Sequence, residues 1–323
     1  MTTIATATGD VPIADLGITL THEHLFINLL RERRGDGLVH DEGAAIEEVM
    51  HFATQGGGTI FDLTTAELTP GSTVDSEGNF DASKHQTRNP RNVEAIQRVS
   101  KATGINVVLG TGRYRDPFLN PDVIEELGIE GLADEMIQDL TEGIPGTSAK
   151  AGIIGEIGAD KWFISELESK VFSAAAKAHK VTGAPIYTHA TRWSVAFDQI
   201  ELLQSEGADL SKVAIGHVDT VPKRGFAVEV AKHGVYVGID TINSSSPHEV
   251  APRVEAVMDL VRAGYLDRIL LSHDVCLTSH YRANGGNGFG FVLDGFKESL
   301  LEAGLSENEF REITQCNPAR MLS

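Results

Sequence analysis

The sequence predicts an α/β fold of the (β/α)8 or TIM-barrel type, in which residues 1–323 form a single domain. Three observations lead to this prediction. Eight short apolar segments alternate with longer segments of helical periodicity, which is the pattern of a parallel sheet with crossover helices. The length of 323 residues suits one barrel. No internal repeat, charge run or low-complexity linker divides the chain.

The eight predicted strands are residues 17–24, 58–63, 106–111, 151–156, 185–189, 212–217, 235–240 and 268–274. Apolar residues at helical spacing predict helices between them, as at Leu167, Val171 and Ala174. Residues 67–89 and 279–290 show neither period, so we expect long loops after strands 2 and 8. Both loops follow the carboxyl ends of strands, where barrel enzymes build their active sites.

Charge and composition limit the range of partners. The formal net charge is -19 and the pI is near 5.0, without a cluster of Lys and Arg, so a nucleic acid partner is not expected. Cys276 and Cys316 are too few for a disulfide framework. The sequence has no apolar run of membrane-spanning length and does not open with a secretory leader pattern. We therefore expect a cytoplasmic protein that acts on a small-molecule substrate.

Polar side chains come at the carboxyl ends of the predicted strands. His22 and His24 end the first strand and point to the same face, because side chains alternate along a strand. The later strands end at Asp62, Thr111, Glu156, His189, His217, Asp240 and Asp274. In a parallel barrel all these ends meet at one rim. Any one such histidine alone would be interpreted as a buried, hydrogen-bonded residue, but several together with carboxylates predict a metal site.

The number of candidate ligands predicts two divalent metal ions. His22, His24 and Asp274 would hold one ion, and His189 and His217 the other. Glu156, which is flanked by glycines at the end of its strand, is the natural bridge because a carboxylate offers one oxygen to each ion. Ions about 3.5 to 4 Å apart activate water and bind both the attacked and the leaving oxygen.

Several short motifs resemble one known family. They are THEHLF at residues 21–26, GEIG at 155–158, THA at 188–190, IGHVD at 215–219, LSHD at 271–274 and NPAR at 317–320. Together they resemble the phosphotriesterase family of the amidohydrolase superfamily over essentially the whole chain. The resemblance implies a barrel with a binuclear centre, usually zinc and sometimes manganese, cobalt or iron, and a homodimer. The ligands of the family fall on the same positions, His22, His24, Glu156, His189, His217 and Asp274.

The chain departs from the family pattern at the bridge and at a proton relay. Many members bridge their metals with a carboxylated lysine, whereas this chain has Glu156, which resembles a recognisable Glu-bridged branch. The triesterase proper relays protons through a histidine and an aspartate, and the corresponding positions here are Thr241 and Thr220. The resemblance therefore implies the metal centre without that relay.

Two residues are candidates for substrate binding. Tyr114 resembles the tyrosine that lactonase members place beside the metals. One branch of the family opens phosphorylated sugar lactones and binds its substrate with an arginine that Arg282 resembles. That branch also uses a tyrosine and a lysine. This chain has Phe289 near the position of the tyrosine and no lysine in residues 243–246. A phosphorylated substrate is accordingly not expected. Arg282 would then either bind a carboxylate or carbonyl or be a solvated loop arginine.

We expect a hydrolase in which a metal-bridging hydroxide attacks the carbonyl of a lactone, carboxylic ester or amide. Asp274 is the candidate catalytic residue, which would pass the proton of the hydroxide to the leaving group; ligation alone is its other role. Two alternatives remain: an organophosphate triester hydrolase, and a metal-free barrel that acts as a lyase, isomerase or binding protein.

Overall fold

A computed structural model describes residues 2–69 and 87–323. The strands in these residues are β1 (Thr3–Thr6), β2 (Gly9–Pro12), β3 (Ile18–Glu23), β4 (Ile27–Asn28), β5 (Leu38–Val39), β6 (Gly57–Asp62), β7 (Asn106–Thr111), β8 (Ile153–Ala159), β9 (Ile186–Ala190), β10 (Val213–Gly216), β11 (Tyr236–Ile239) and β12 (Ile269–Leu271). Eight of them form a parallel sheet in the order β3-β6-β7-β8-β9-β10-β11-β12, which curls nearly into a barrel. The predicted (β/α)8 fold is confirmed.

The remaining four strands were not predicted, because they are short pairs outside the barrel. β1 pairs antiparallel with β2, and β4 pairs antiparallel with β5. Two predicted strand ends also need correction. β8 continues past Glu156 to Ala159, whereas β12 stops at Leu271, so that Asp274 lies in the segment that follows. Ligand residues therefore do not all terminate their strands.

Helices cover the outside of the sheet. They are α1 (Glu42–Thr54), α2 (Pro90–Thr103), α3 (Pro121–Thr141), α4 (Glu166–Thr182), α5 (Val195–Ser205), α6 (Phe226–Ala231), α7 (Pro247–Arg262), α8 (Gly295–Glu302), α9 (Glu307–Arg311) and α10 (Asn317–Leu322). The helix predicted around Val171 is α4, which begins with a reciprocal capping box between Ser165 and Glu168. No helix in the described ranges combines the length and apolar character needed to cross a membrane.

Side-chain hydrogen bonds close the seam between the first and last barrel strands. The carboxylate of Glu23 on β3 accepts hydrogen bonds from Ser272 Oγ, from the backbone N–H and Nδ1 of His273, and from Val275 N, at 2.7 to 2.8 Å. The backbone N–H of His22 donates to Ser272 Oγ at 2.9 Å. Glu23 therefore fixes the ends of β3 and β12 together. The ring of His273 is held by Glu23 through Nδ1 and by the backbone N–H of Val292 through Nε2.

Large side chains fill the bottom of the barrel below the strand ends. Phe61, Val108, Ile153, Tyr187 and Tyr236 come from five different strands, and each is at most 1% exposed. Their neighbours in sequence point outward and pack against the helices, as period-2 alternation requires. The barrel is therefore a packed core, and only its upper end can hold a ligand.

The two predicted long loops have different outcomes. In the first, Glu67 lies in a short 3-10 helix (Ala66–Leu68), and residues 70–86 lie outside the described residues. The second, residues 279–290, contains two 3-10 turns and leads to α8. Its path along the rim carries Arg282 away from the strand ends.

Candidate metal centre and active-site cavity

The barrel brings all six predicted metal ligands together at the upper end of the strands. His22 and His24 come from the end of β3, Glu156 from β8, His189 from β9, His217 from the residue after β10, and Asp274 from the segment after β12. The four imidazoles and Glu156 are at most 7% exposed. Residues up to about 250 positions apart in sequence therefore share one buried cluster, as predicted from the convergence of strand ends.

The carboxylate of Glu156 lies at the centre of this cluster. Its Oε1 lies 2.6 Å from His189 Nδ1, 3.0 Å from His217 Nε2 and 3.4 Å from His22 Nε2. Its Oε2 lies 3.7 Å from His24 Nε2, which is in turn 3.3 Å from Asp274 Oδ1. The two oxygens thus face different subsets of the imidazoles, which is the arrangement that a bridging carboxylate needs.

The imidazoles do not all present the same nitrogen to the cluster. His22, His24 and His217 present Nε2, whereas His189 presents Nδ1 and contacts Thr191 Oγ1 through Nε2 at 3.0 Å. The opposite nitrogen of His24 contacts Thr64 Oγ1 at 2.9 Å. Partners on the far side fix the orientation of a ligand imidazole and its tautomer. Sequence spacing could not predict which nitrogen faces inward.

Asp240, at the end of β11, holds two ligand imidazoles at once. Its Oδ2 accepts hydrogen bonds from His22 Nδ1 at 3.0 Å and Tyr187 Oη at 2.8 Å. Its Oδ1 accepts from the backbone N–H of His217 at 2.7 Å and from His217 Nδ1 at 2.9 Å. A Cβ on Gly238 would approach Asp240 Oδ2 to 2.6 Å, so glycine leaves the space for this carboxylate. Asp240 thus contacts two of the predicted ligand imidazoles from outside the cluster.

Two ligand residues have backbone conformations that L-residues rarely adopt. His217 has φ of 58° and Asp274 has φ of 53°, both in the left-handed region. Each such position costs on the order of 1 kcal/mol or more. The backbone N–H of His217 donates to Asp240, and that of Asp274 donates to the carbonyl of His22 at 3.2 Å. These bonds hold the strained backbone and turn both side chains into the cluster.

The buried carboxylates draw positive charge onto two imidazoles. Burial alone would lower the pKa of His22, but Glu156 and Asp240 raise it to about 10. Burial would also lower the pKa of His217, but Asp240 raises it well above its ordinary value. Burial lowers the pKa of His189 to about 3. Despite its own burial, Glu156 has a pKa well below the usual range because His22 and His189 lie beside it. The cluster therefore stabilises positive charge.

These residues fit a metal centre. His22 Nε2 is buried and has no hydrogen-bond partner among the described residues, although Glu156 Oε1 lies 3.4 Å away. A buried polar atom without a partner is costly unless something binds it, and a metal ion would do so. Two sets of ligand atoms lie within 4.8 Å of one another: His22, Glu156 and His217, and His22, His24 and Asp274. Imidazole and carboxylate together suit zinc and similar divalent ions.

A cavity of about 410 Å³ opens above the cluster. Tyr114 lines it and places its hydroxyl 3.1 Å from His189 Nδ1, beside the ligands, where the resemblance put it. Burial raises the pKa of Tyr114 well above its ordinary value, so the hydroxyl stays protonated and able to donate. Arg282 is not among the lining residues. Its backbone N–H and Nε bond to Glu48 on α1 at 2.9 and 3.3 Å.

Sequence reasoning missed several residues of the site. Glu23 lies inside the THEHLF motif, yet its partners in the segment after β12 were not recognised. Asp62, which ends β6, accepts hydrogen bonds from the backbone N–H of Leu25 and from the buried Arg88, each at 2.8 Å. Arg33, Arg115 and Arg192 line the cavity and carried no sequence signal, because their loops lack periodicity.

The fold and the site together define a class of protein. A (β/α)8 barrel that gathers imidazoles and carboxylates at the carboxyl ends of its strands has the architecture of barrel hydrolases. The chain belongs to the phosphotriesterase family, whose model matches residues 2–73 and 83–322. It is therefore an enzyme of the hydrolase type, like its relatives.

The chain is 34% identical over 307 residues to the phosphotriesterase homology protein of Escherichia coli strain K12, covering 95% of this chain and 98% of that protein. A crystal structure of the Escherichia coli protein complexed with phosphate in its active site matches with a TM-score of 0.85 and 32% identity, covering 96% of this chain and 99% of that chain. Human N-acetyltaurine hydrolase is 28% identical over 363 residues, covering 99% of this chain and 97% of that protein. The crystal structure of a lactonase from Listeria monocytogenes matches with a TM-score of 0.83 and 27% identity, covering 100% of this chain and 99% of that chain.

Proposed function

We propose that this chain is a binuclear metal-dependent hydrolase that cleaves a lactone, carboxylic ester or amide at its carbonyl carbon. The observation that carries the proposal is the convergence of four imidazoles and Asp274 around Glu156, with His22 Nε2 buried and unpartnered among the described residues. Two divalent ions bound there would lower the pKa of water and polarise a carbonyl oxygen. Zinc fits the donor set, and manganese, cobalt and iron are the other candidates.

The residues of the chain have distinct roles in this reaction. His22, His24, Glu156, His189 and His217 would hold the metals, and the outer partners of the imidazoles would fix their orientation for ligation. Of the two carboxylates proposed as ligands, Asp274 is the one that lines the cavity, and its side chain is 20% exposed. It is therefore placed to accept a proton from the attacking water and return it to the leaving oxygen or nitrogen.

Tyr114 is the candidate substrate-binding residue. Its protonated hydroxyl lies beside His189 at the cavity floor and can donate a hydrogen bond to a carbonyl oxygen. Arg282 is not proposed as a substrate contact because Glu48 binds it outside the cavity.

The relatives support carbonyl substrates. One is a lactonase and another is named for the hydrolysis of N-acetyltaurine, whose scissile bond is an amide. Organophosphate triesters are the second candidate, because the same donors around a metal pair would also stabilise a charged phosphoryl transition state. The absence of the relay side chains at Thr220 and Thr241 makes carbonyl substrates the first choice.

Metal analysis of the purified protein is the first test. We expect about two equivalents of divalent metal per chain after reconstitution, and loss of turnover after chelation that added metal restores. A His22→Ala, His217→Ala double variant should bind less than one equivalent. Wild-type protein that binds no metal after supplementation, yet remains folded, would contradict the proposal.

A substrate panel is the second test. Lactones, aryl esters, N-acyl amines and a paraoxon-like triester would be compared by kcat/KM on the same metal-loaded preparation. We expect at least one carbonyl class to exceed the triester by about 100-fold, as a difference of transition-state binding. A preference for the triester would replace the first candidate by the second.

A further inference from the structure

Among the residues that the structure describes, two arginines at the cavity have no direct contact with a carboxylate. Arg33, Arg115 and Arg192 all line the cavity. Arg115 is nearly buried and pairs with Glu32 at 3.0 Å and Asp160 at 3.2 Å. The guanidinium groups of Arg33 and Arg192 form no ion pair within residues 2–69 and 87–323. Asp160 interacts electrostatically with Arg192, but within the described residues no carboxylate contacts either guanidinium directly. Both guanidinium groups are therefore available to an anionic ligand.

Two acidic side chains of the outer cavity, Glu32 and Asp160, are directed at Arg115. Glu32 contacts both terminal nitrogens of Arg115, at 3.2 and 3.0 Å, and Asp160 contacts one of them. The protein as a whole is strongly acidic, with a formal net charge of -19, so unpaired arginines at its cavity are not a consequence of composition. A cleft focuses the field of such groups and attracts anions.

The backbone holds both arginines firmly while their side chains stay open to the cavity. Arg192 has φ of 66°, a left-handed conformation, and its N–H donates to Thr220 Oγ1 at 2.8 Å. The backbone N–H of Arg33 donates to Leu29 O at 2.8 Å, and its carbonyl accepts from Gly37 N at 2.8 Å. A strained, bonded backbone at a cavity residue is a feature of ligand-binding sites.

We propose that the cavity accepts small substrates that carry a free acid group, and that Arg33 and Arg192 bind this group while the scissile carbonyl lies over the metal ligands. A guanidinium binds the oxygens of a carboxylate or sulfonate through paired hydrogen bonds. The cavity volume of about 410 Å³ suits a small molecule. The inference deepens the proposed hydrolase function and rests on it for the position of the carbonyl.

The test measures binding of probes that contain no scissile bond. 5-Oxohexanoate and 2-hexanone share a methyl ketone and chain length, and only the first carries an acid group; 4-oxopentane-1-sulfonate replaces carboxylate by sulfonate. Dissociation constants would be measured by calorimetry on the metal-loaded protein at low salt. We expect the dissociation constants of the two acids to be at least about 10-fold lower than that of the ketone, since charge-assisted hydrogen bonds are strong.

Arginine variants identify the group responsible. R33Q and R192Q should each weaken binding of 5-oxohexanoate by about 10-fold and leave 2-hexanone unchanged. R34Q is the matched control, because Arg34 is the exposed neighbour of Arg33, carries the same charge and does not line the cavity. Its affinity for both probes should stay within about twofold of wild type. Thermal unfolding and metal content of each variant establish that it is folded and loaded.

The outcomes separate this inference from the proposed function. Equal affinities for acid and ketone, or a preference that survives in the R33Q/R192Q double variant, would overturn the acid-group inference even if carbonyl substrates are hydrolysed. Acid binding that depends on Arg33 and Arg192 upholds it. If the same protein then turns over no carbonyl substrate, only the proposed function fails.

Discussion

Replacing Asp240 by Asn tests how one carboxylate supports both halves of the metal centre. Asp240 accepts four hydrogen bonds, two at each oxygen, from His22, His217 and Tyr187. Asn keeps the shape but has one acceptor oxygen, and its NH2 group must face donors. Either the amide leaves the donors of one side unpaired, or an imidazole there changes tautomer and points a proton at the metal position.

The size of the effect follows from this geometry. Loss of one outer partner of a ligand imidazole typically weakens metal binding by about 10- to 100-fold. Because Asp240 serves His22 and His217 together, we expect the weaker of the two ions in D240N to be lost at metal concentrations that saturate the wild type. The unfolding free energy of the metal-free protein should also fall by about 1 to 3 kcal/mol, the cost of an unsatisfied buried donor.

The assay is metal stoichiometry and affinity, measured by competition with a chromogenic chelator, together with urea unfolding of the metal-free protein. Tyr187→Phe is the control, because it removes one donor to Asp240 and leaves the carboxylate in place. D240N that binds two ions within about threefold of wild-type affinity would refute the role of Asp240 in orienting ligands.

Three further predictions concern single substitutions. Glu23→Gln should lower the free energy of unfolding by about 2 to 4 kcal/mol, as measured by urea unfolding. The reason is that an NH2 group replaces one of the oxygens that accept the hydrogen bonds joining the ends of β3 and β12. A loss below about 0.5 kcal/mol would show that Glu23 does not secure the seam. Burial raises the pKa of Asp139 to about 6, so its ionisation opposes folding and stability falls as pH rises from about 4 to 6. Asp139→Asn should flatten this decline and gain up to about 3 kcal/mol at pH 8, and unfolding curves of both proteins from pH 4.5 to 8 measure it; an unchanged slope would contradict the shift. Asp274→Asn should lower kcat by about 100-fold or more with both metals retained, whereas unaffected turnover in a fully loaded variant would leave Asp274 as a ligand only.

Much of the fold and of the metal cluster could be predicted from the sequence, for a simple geometric reason. Each barrel strand is an apolar run that ends in polar residues, and all parallel strands end at the same rim. His22 and His24 share a face because of period-2 alternation, and Glu156, His189 and His217 join them because their strands are neighbours. Only the direction of the chain at each strand end is needed for this inference.

The tertiary structure alone decided what surrounds the cluster. Asp274 and His217 reach it through left-handed backbone conformations that no periodicity reveals. Arg282, a candidate by position in the last loop, instead pairs with Glu48, while Arg33 and Arg192 line the cavity from other loops. Strand ends converge because hydrogen bonds fix the strands in register, whereas a loop's path depends on contacts with other loops that lie far away in sequence. The sequence therefore determined which candidate ligands meet at the rim, and the packing of the loops determined what can approach them.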